Sequence, residues 1–164
     1  SEVQSCTTKA QDCDSCWAYY SGGTPRDQPK GLAKAIQAFV PEAHQRAYDG
    51  TLAVRCWRNL DNETGVATNV MLRDRASAQL DKAMLRGLAV VFRQRVAELS
   101  CTSGETRDAR LAFVKVLAPL FDRPLRERSA SAAGVVATEL AKTEVSSVDV
   151  SAVTSAIDTA FPCP

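Results

Sequence analysis

The stretch VMLRDRASAQLDKAMLRGLAVVFRQRVAEL, residues 70–99, decides the fold of this 164-residue chain. Its apolar side chains recur at intervals of three and four, which places them along one side of a helix. They are Val70, Met71, Ala76, Leu80, Ala83, Met84, Leu88, Val91, Phe92, Val96 and Leu99. The pattern predicts one helix over residues 66–99. At its full length such a helix is about 50 Å long and forms the spine of a bundle.

Gly87 lies inside this helix, where glycine costs about 1 kcal/mol relative to alanine. We interpret it as the mark of a close crossing by another helix. Before the spine, helical spacing covers residues 7–21. Gly22 and Gly23 follow, and they suit a left-handed helix end because they lack a Cβ.

A second helix is predicted over residues 29–49, with Pro41 kinking or splitting it and Gly50 ending it. Residues 51–58 alternate in polarity like a strand. No partner strand is evident elsewhere in the chain, so a short helix is the favoured interpretation.

After the spine, Thr106 is the predicted N-cap of a helix that runs to Phe121. Pro119 and Pro124 are expected to break this helix, because proline lacks the backbone N–H. Its apolar residues are Leu111, Phe113, Val114, Leu117 and Leu120.

Two further helices are predicted over residues 129–142 and 149–160, the second started by Ser147 or Asp149. The expected fold is all-α. It is a single helical bundle of five to seven helices with one long central helix, stabilised by disulfides. One domain is expected to cover residues 1–164.

Composition narrows the classes of function. Hydrophobic residues make up 45% of the chain and charged residues 24%, a composition typical of soluble globular proteins. Twenty Lys and Arg balance nineteen Asp and Glu, which argues against nucleic acid as the main partner. No apolar run reaches the roughly 18 residues of a transmembrane helix. The first residues, SEVQSC, are consistent with a mature product whose leader has been removed.

The cysteine count indicates the compartment. An even set spread over the chain predicts three disulfides in an oxidising environment, with about 15 pairings open. A secreted, periplasmic or cell-surface protein is therefore expected, and Asn62 in the sequence Asn-Glu-Thr is a candidate glycosylation site. The cysteines are Cys6, Cys13, Cys16, Cys56, Cys101 and Cys163.

Residues 13–23, CDSCWAYYSGG, contain a C-x-x-C motif that fits several kinds of site. A redox centre needs a preceding strand, covalent haem attachment needs histidine at position 17, and zinc needs two more ligands. None of these conditions is met, so Cys13 and Cys16 are interpreted as halves of two different disulfides. Catalytic motifs for hydrolases, nucleotide binding or metalloproteases are also missing, and no enzymatic activity is expected.

Three segments resemble the algal iron-assimilation domain family of low-iron-inducible periplasmic proteins and phytotransferrins. Residues 14–22, DSCWAYYSG, resemble the signature D-x-x-W-A-[FY]-Y-x-G. Residues 80–92, LDKAMLRGLAVVF, are similar to a family helix with the pattern DKALLKGL…VF. Residues 110–120, RLAFVKVLAPL, are similar to its R-A-F-…-I-x-P-L segment, in the same order along the chain.

The resemblance implies ferric iron bound outside the cell together with carbonate. Hard cations of high charge favour oxygen ligands such as phenolate and carboxylate, and the anion needs an arginine or a helix N-terminus. Tyr20 is the first candidate ligand, Asp14 the second and Tyr19 a local alternative. Tyr48 and His44, one turn apart, would complete the set by donor type alone. A metal ion or another small ligand is the partner expected on this hypothesis.

A second hypothesis is a structural or interaction domain of an extracellular assembly that binds no metal and contacts other extracellular proteins. It rests on departures from the family pattern. No two glutamates are spaced as E-x-x-E, and the chain has one histidine. On this hypothesis Trp17 is a core residue, and Tyr19 and Tyr20 pack with their hydroxyls hydrogen-bonded or solvated.

Overall fold

The computed structural model describes residues 2–60 and 67–162, and every regular element in those residues is helical. The all-α class and the long helix are confirmed. Eight α-helices lie in the described residues, one more than the upper number predicted, because the pattern predicts no helix before residue 7. They are α1 (Glu2–Ser5), α2 (Gln11–Ser21), α3 (Gly31–Phe39), α4 (Pro41–Leu60), α5 (Val70–Ala97), α6 (Gly104–Arg128), α7 (Ala130–Ala141) and α8 (Val150–Ala160).

Two compact units divide the chain between Gly87 and Leu88, within α5. The first unit contains α1 to α4 and α5 up to Gly87, and the second contains the rest of α5 and α6 to α8. A single domain over residues 1–164 stays a prediction. None of the helices in the described residues has the length and apolar character needed to cross a membrane.

The first unit packs its helices closely at two glycines. A Cβ at Gly87 would lie 2.6 Å from Cγ2 of Ile36 on α3, so the predicted close crossing at Gly87 is confirmed. A Cβ at Gly50 would lie 2.8 Å from the Leu80 Cα, so α4 and α5 approach each other where only glycine fits. The prediction that Gly50 ends its helix is wrong, because α4 continues to Leu60. Pro41 splits the predicted helix 29–49, since α3 ends at Phe39.

The second unit has an aromatic core. The Phe121 ring lies 5.2 Å from the Phe92 ring and 4.9 Å from the Phe161 ring, measured between centroids. The prediction that prolines break α6 near Phe121 is wrong, because Pro119 and Pro124 both lie inside a helix that continues to Arg128. Buried Phe121 and Leu125 hold its last turns in the core, which offsets the lost backbone hydrogen bonds.

Capping residues fix several helix ends. Ser129 Oγ accepts a hydrogen bond from the Ala132 N–H at the start of α7, and the Asp149 carboxylate accepts one from the Ala152 N–H at the start of α8. Of the two starts proposed for the last helix, Asp149 is therefore confirmed. Thr106 does not cap α6, which begins two residues earlier at Gly104. Gly22 ends α2 with φ 70°, as predicted.

One disulfide, Cys6–Cys13, is confirmed, with Cα atoms 5.3 Å apart. Cys56 and Cys101 carry free thiols, which differs from the disulfides predicted there; both side chains lie at the surface. Cys163 and the candidate glycosylation site Asn62 lie outside the described residues. The complete pairing scheme stays a prediction.

Candidate functional site: a buried tyrosine–histidine cluster

Three of the predicted ligands lie together in the first unit: Tyr20 on α2, and His44 and Tyr48 on α4. The Tyr20 and His44 rings stack with centroids 5.9 Å apart, and the His44 and Tyr48 rings meet at an angle of 63° with centroids 6.0 Å apart. His44 is fully buried, and Tyr20 and Tyr48 are 3% and 7% exposed. We call these three residues the tyrosine–histidine cluster.

Helix geometry explains which side chains join the cluster. His44 and Tyr48 are four residues apart, so both lie on the side of α4 that faces α2. Tyr20 lies on the buried side of α2. Tyr19, one residue earlier, is rotated by about 100° around that helix and is 77% exposed.

The hydrogen bonds of His44 define its proton positions. Its Nε2 lies 2.9 Å from the main-chain oxygen of Arg26, which can only accept, so Nε2 carries a proton in the neutral ring. Its Nδ1 therefore accepts from the Tyr20 hydroxyl, 3.0 Å away. The assignment of this tautomer follows from the partners. The imidazole thus joins α2, α4 and the loop between α2 and α3.

Burial controls the ionisation of Tyr20. Because the phenolate would be removed from water, burial raises the pKa of Tyr20 to about 12. The phenol therefore stays protonated at neutral pH and keeps its proton available for the hydrogen bond to His44. A metal ion would have to displace that proton before Tyr20 could act as a ligand.

Arg26 in the α2–α3 loop covers the cluster. Its guanidinium lies 4.7 Å from the centroid of the Tyr48 ring and donates to the side chains of Gln45 and Asp49. The Tyr48 hydroxyl donates to the Thr24 main-chain oxygen at 3.4 Å. Sequence reasoning missed Arg26, and no signal could have found it, because the atom that binds His44 is a main-chain oxygen that every residue has.

The other two predicted ligands lie elsewhere. Asp14 forms an ion pair with Arg55 at 2.6 Å, and the Arg55 guanidinium lies 5.2 Å from the centroid of the Trp17 ring. Arg55 is about two turns along α4 from Tyr48, so Asp14 is not in the cluster. Tyr19 points into solvent. Within residues 2–60 and 67–162, no three His, Cys, Asp or Glu side chains form a group that could hold a metal ion.

The partners of its side chains determine what the tyrosine–histidine cluster can do chemically. It offers two phenols and one imidazole, and each has a hydrogen-bond partner within the protein. Asp49, the nearest carboxylate of this network, is paired with Arg26. In this arrangement the side chains act as a hydrogen-bonded clamp between helices, and metal binding would require the clamp to open.

A second candidate site lies on α6 in the second unit. The side of α6 formed by Ala109, Ala112, Phe113, Val116 and Leu120, here called the outer face, is exposed. Phe113 is 47% exposed, Val116 72% and Leu120 60%. The opposite side carries the buried residues Leu111, Val114, Phe121 and Leu125. Helix α6 is therefore apolar on two opposite sides. One side packs against the core, and on the other the Arg95 guanidinium of α5 lies 6.0 Å from the centroid of the Phe113 ring.

Comparison with known proteins adds no relative. The chain matches no protein-family model, no curated protein sequence and no solved structure. The resemblance to the algal iron-assimilation domain therefore stays a prediction that rests on three short segments.

Proposed function

We propose that this chain is a helical interaction domain that binds another protein through the outer face of α6. The observation that carries the proposal is the exposure of Phe113, Val116 and Leu120 on one side of the same helix. Apolar surface favours burial by about 25 cal/mol per Å², and contiguous apolar patches on a soluble protein often mark interaction sites. Single exposed apolar residues are common, but a strip over three consecutive turns is not.

Two features of the first unit support a structural role in an extracellular assembly. The Cys6–Cys13 disulfide favours an oxidising compartment, in keeping with a secreted, periplasmic or cell-surface protein. The hydrogen bonds of Tyr20 and His44 are complete within the chain, so the cluster stabilises the helices without a bound ligand. Both features suit a structural role for the first unit.

Binding of the uncharged apolar dye Nile red tests the proposal. We expect wild-type protein to bind the dye, and the triple variant F113Q/V116Q/L120Q to lose most of that binding. Glutamine is a good helix former, so α6 is retained. The matched control is M71Q/L72Q, which removes two exposed apolar residues of α5, 78% and 49% exposed, and should bind as wild type does. Equal dye binding by the triple variant and wild type would contradict the proposal.

Ferric iron binding at the tyrosine–histidine cluster is the second candidate function. It is favoured by one observation: Tyr20 Oη and His44 Nδ1 are 3.0 Å apart, close enough for two ligands that each lie about 2 Å from one metal ion. Tyr48 would be the third ligand, and Arg26, whose guanidinium lies over the Tyr48 ring, would be the cation available to hold a carbonate. Bound ferric iron would supply the field that makes a phenolate available at neutral pH.

The test of this second candidate is a titration with ferric iron and bicarbonate, followed by visible absorbance and by bound metal after gel filtration. Iron at the cluster gives a tyrosinate charge-transfer band in wild type and in Tyr19→Phe, and a much weaker band or none in Tyr20→Phe, which keeps only Tyr48 as a tyrosinate ligand. Tyr19→Phe is the control because that side chain is exposed. A colourless wild type, or equal uptake by Tyr20→Phe, would rule out the cluster as the iron site.

A further inference from the structure

We propose that the partner of the outer face is a second copy of this chain, with the two α6 helices antiparallel about a two-fold axis near Phe113. This inference rests on the proposed function and adds the identity of the partner. A two-fold interface uses the same surface on both copies, so the outer face must be complementary to itself. Its pattern of side-chain size and charge meets that requirement.

Side-chain size is graded along the outer face. The N-terminal half carries Ala109 and Ala112, and the C-terminal half carries Val116 and Leu120. Antiparallel pairing with the axis near residue 114 brings Val116 of one copy against Ala112 of the other, and Leu120 against Ala109. At both ends of the pair, the large side chains of one helix then pack over the small side chains of the other, as in interlocking helix packing. Phe113 meets its own copy at the axis.

Charge supports the same register. Glu105 and Arg123 are eighteen residues apart, which is five turns of about 3.6 residues, so they lie on the same edge of α6. Both are exposed; the Arg123 side chain is 88% exposed and pairs with Glu127 on its own helix at 2.8 Å, so its guanidinium would bridge Glu127 and the Glu105 of the other copy. In antiparallel helices the same edges meet, so Glu105 of one copy lies beside Arg123 of the other at both ends. In a parallel pair opposite edges of α6 meet and equal heights align, so Glu105 and Arg123 would not be neighbours.

The size of the contact predicts a reversible dimer. From Glu105 to Arg123 the interface is about 27 Å long, and it involves one helix from each copy. Interfaces of this kind bury less area than the 1,200–2,000 Å² that is roughly standard for stable complexes. We therefore expect a monomer at low concentration and a dimer at high concentration.

Sedimentation equilibrium over a range of concentrations tests the inference. Wild type should rise from a mass near 17.7 kDa towards twice that value. Val116→Asp should remain monomeric. Glu105→Arg and Arg123→Glu should each weaken dimerisation by about three- to tenfold, because each sets like charges beside each other. The double variant E105R/R123E exchanges the charges and should restore wild-type dimerisation. Circular dichroism confirms that the variants keep their helices.

Each alternative outcome has a definite meaning. If wild type is monomeric at all concentrations but still binds Nile red through the outer face, the second copy is wrong as the partner and the interaction domain stands. A dimer that Val116→Asp or the charge variants leave unchanged uses another surface and overturns the inference. A dimer that persists in detergent without reductant is linked by a disulfide between copies and also counts against it.

Discussion

Polar groups and glycines join the helices in residues 2–60 and 67–87, whereas phenylalanine rings fill the core in residues 88–162. In the first unit His44 accepts a hydrogen bond from the Tyr20 hydroxyl and donates one to the main-chain oxygen of Arg26. In the second unit, Phe121 stacks between two other phenylalanine rings. The tyrosine–histidine cluster of the first unit is hydrogen-bonded within the chain, and α6 of the second unit has an exposed apolar side.

This difference separates stability from binding. A buried hydrogen-bonded network acts at short range and with fixed partners, so altering it changes the free energy of unfolding. Exposed apolar surface adds little to the stability of the monomer and is available to a partner. Substitutions in the two units should therefore give different results, and four measurements test this difference.

The largest effect is expected on α6 itself, between its two sides. Phe121→Ala should lower the free energy of unfolding by about 3–5 kcal/mol, because it leaves a cavity between the Phe92 and Phe161 rings. Phe113→Ala removes a side chain that is 47% exposed and its contact with the Arg95 guanidinium, and should change the free energy of unfolding by about 1 kcal/mol or less. Urea unfolding of dilute protein measures both. A loss at Phe113 similar to that at Phe121 would mean that the outer face is part of the core.

The second largest effect is expected at alkaline pH, which should lower the stability of the first unit. The unfolded chain ionises tyrosine near pH 10, and burial raises the pKa of Tyr20 to about 12 in the folded protein. The folded state therefore holds the proton more tightly. The stabilisation that results from this tighter proton binding is complete below pH 10 and is lost as the pH rises to 12. The free energy of unfolding falls by roughly 2–3 kcal/mol over this range.

Unfolding by denaturant between pH 9 and 12 measures this loss. Tyr20→Phe serves as the comparison, because it cannot ionise and other alkaline effects are shared. The difference in stability between the two proteins should shrink across that range. If it stays constant, the Tyr20 hydroxyl is accessible to water and the cluster is less closed than its burial indicates.

Gly50→Ala is expected to destabilise the protein by about 1–3 kcal/mol, although alanine favours helices. The added Cβ would lie 2.8 Å from the Leu80 Cα, and a backbone atom cannot move aside without shifting α5. Thermal unfolding with calorimetry measures the change. A variant as stable as wild type would show that α4 and α5 have room to separate.

Sequence patterns predicted much of this fold because local periodicity and the main packing agree in α5. The close crossing at Gly87 could be predicted because glycine is unfavourable inside a helix, so its presence there indicates a tightly packed neighbour. The same reasoning failed at Gly50, where glycine was interpreted as a helix end although it also marks a close crossing. The prolines of α6 failed similarly, because buried Phe121 and Leu125 hold the helix beyond them.

The site was predicted only in part. The resemblance implied Tyr20, and donor type and helix spacing added His44 and Tyr48; the structure brings these three residues together. The partner of the second histidine nitrogen could not be predicted, since a main-chain oxygen from a loop leaves no mark in the sequence. The outer face was also missed, because Phe113 and Leu111 follow the same apolar pattern and only packing shows which one is buried.

The smallest effect, of opposite sign, is expected at Gly134 in α7. No atom lies within 4 Å of the position that a Cβ would occupy there, and the residue is inside a helix. Gly134→Ala should therefore stabilise the protein by about 0.5–1 kcal/mol, because alanine loses less backbone freedom on folding. A gain in stability at Gly134 and a loss at Gly50 would show that packing requires glycine at position 50 in the first unit and does not require it at position 134 in the second. A loss of stability at Gly134 would show that α7 is covered more closely than this structure describes.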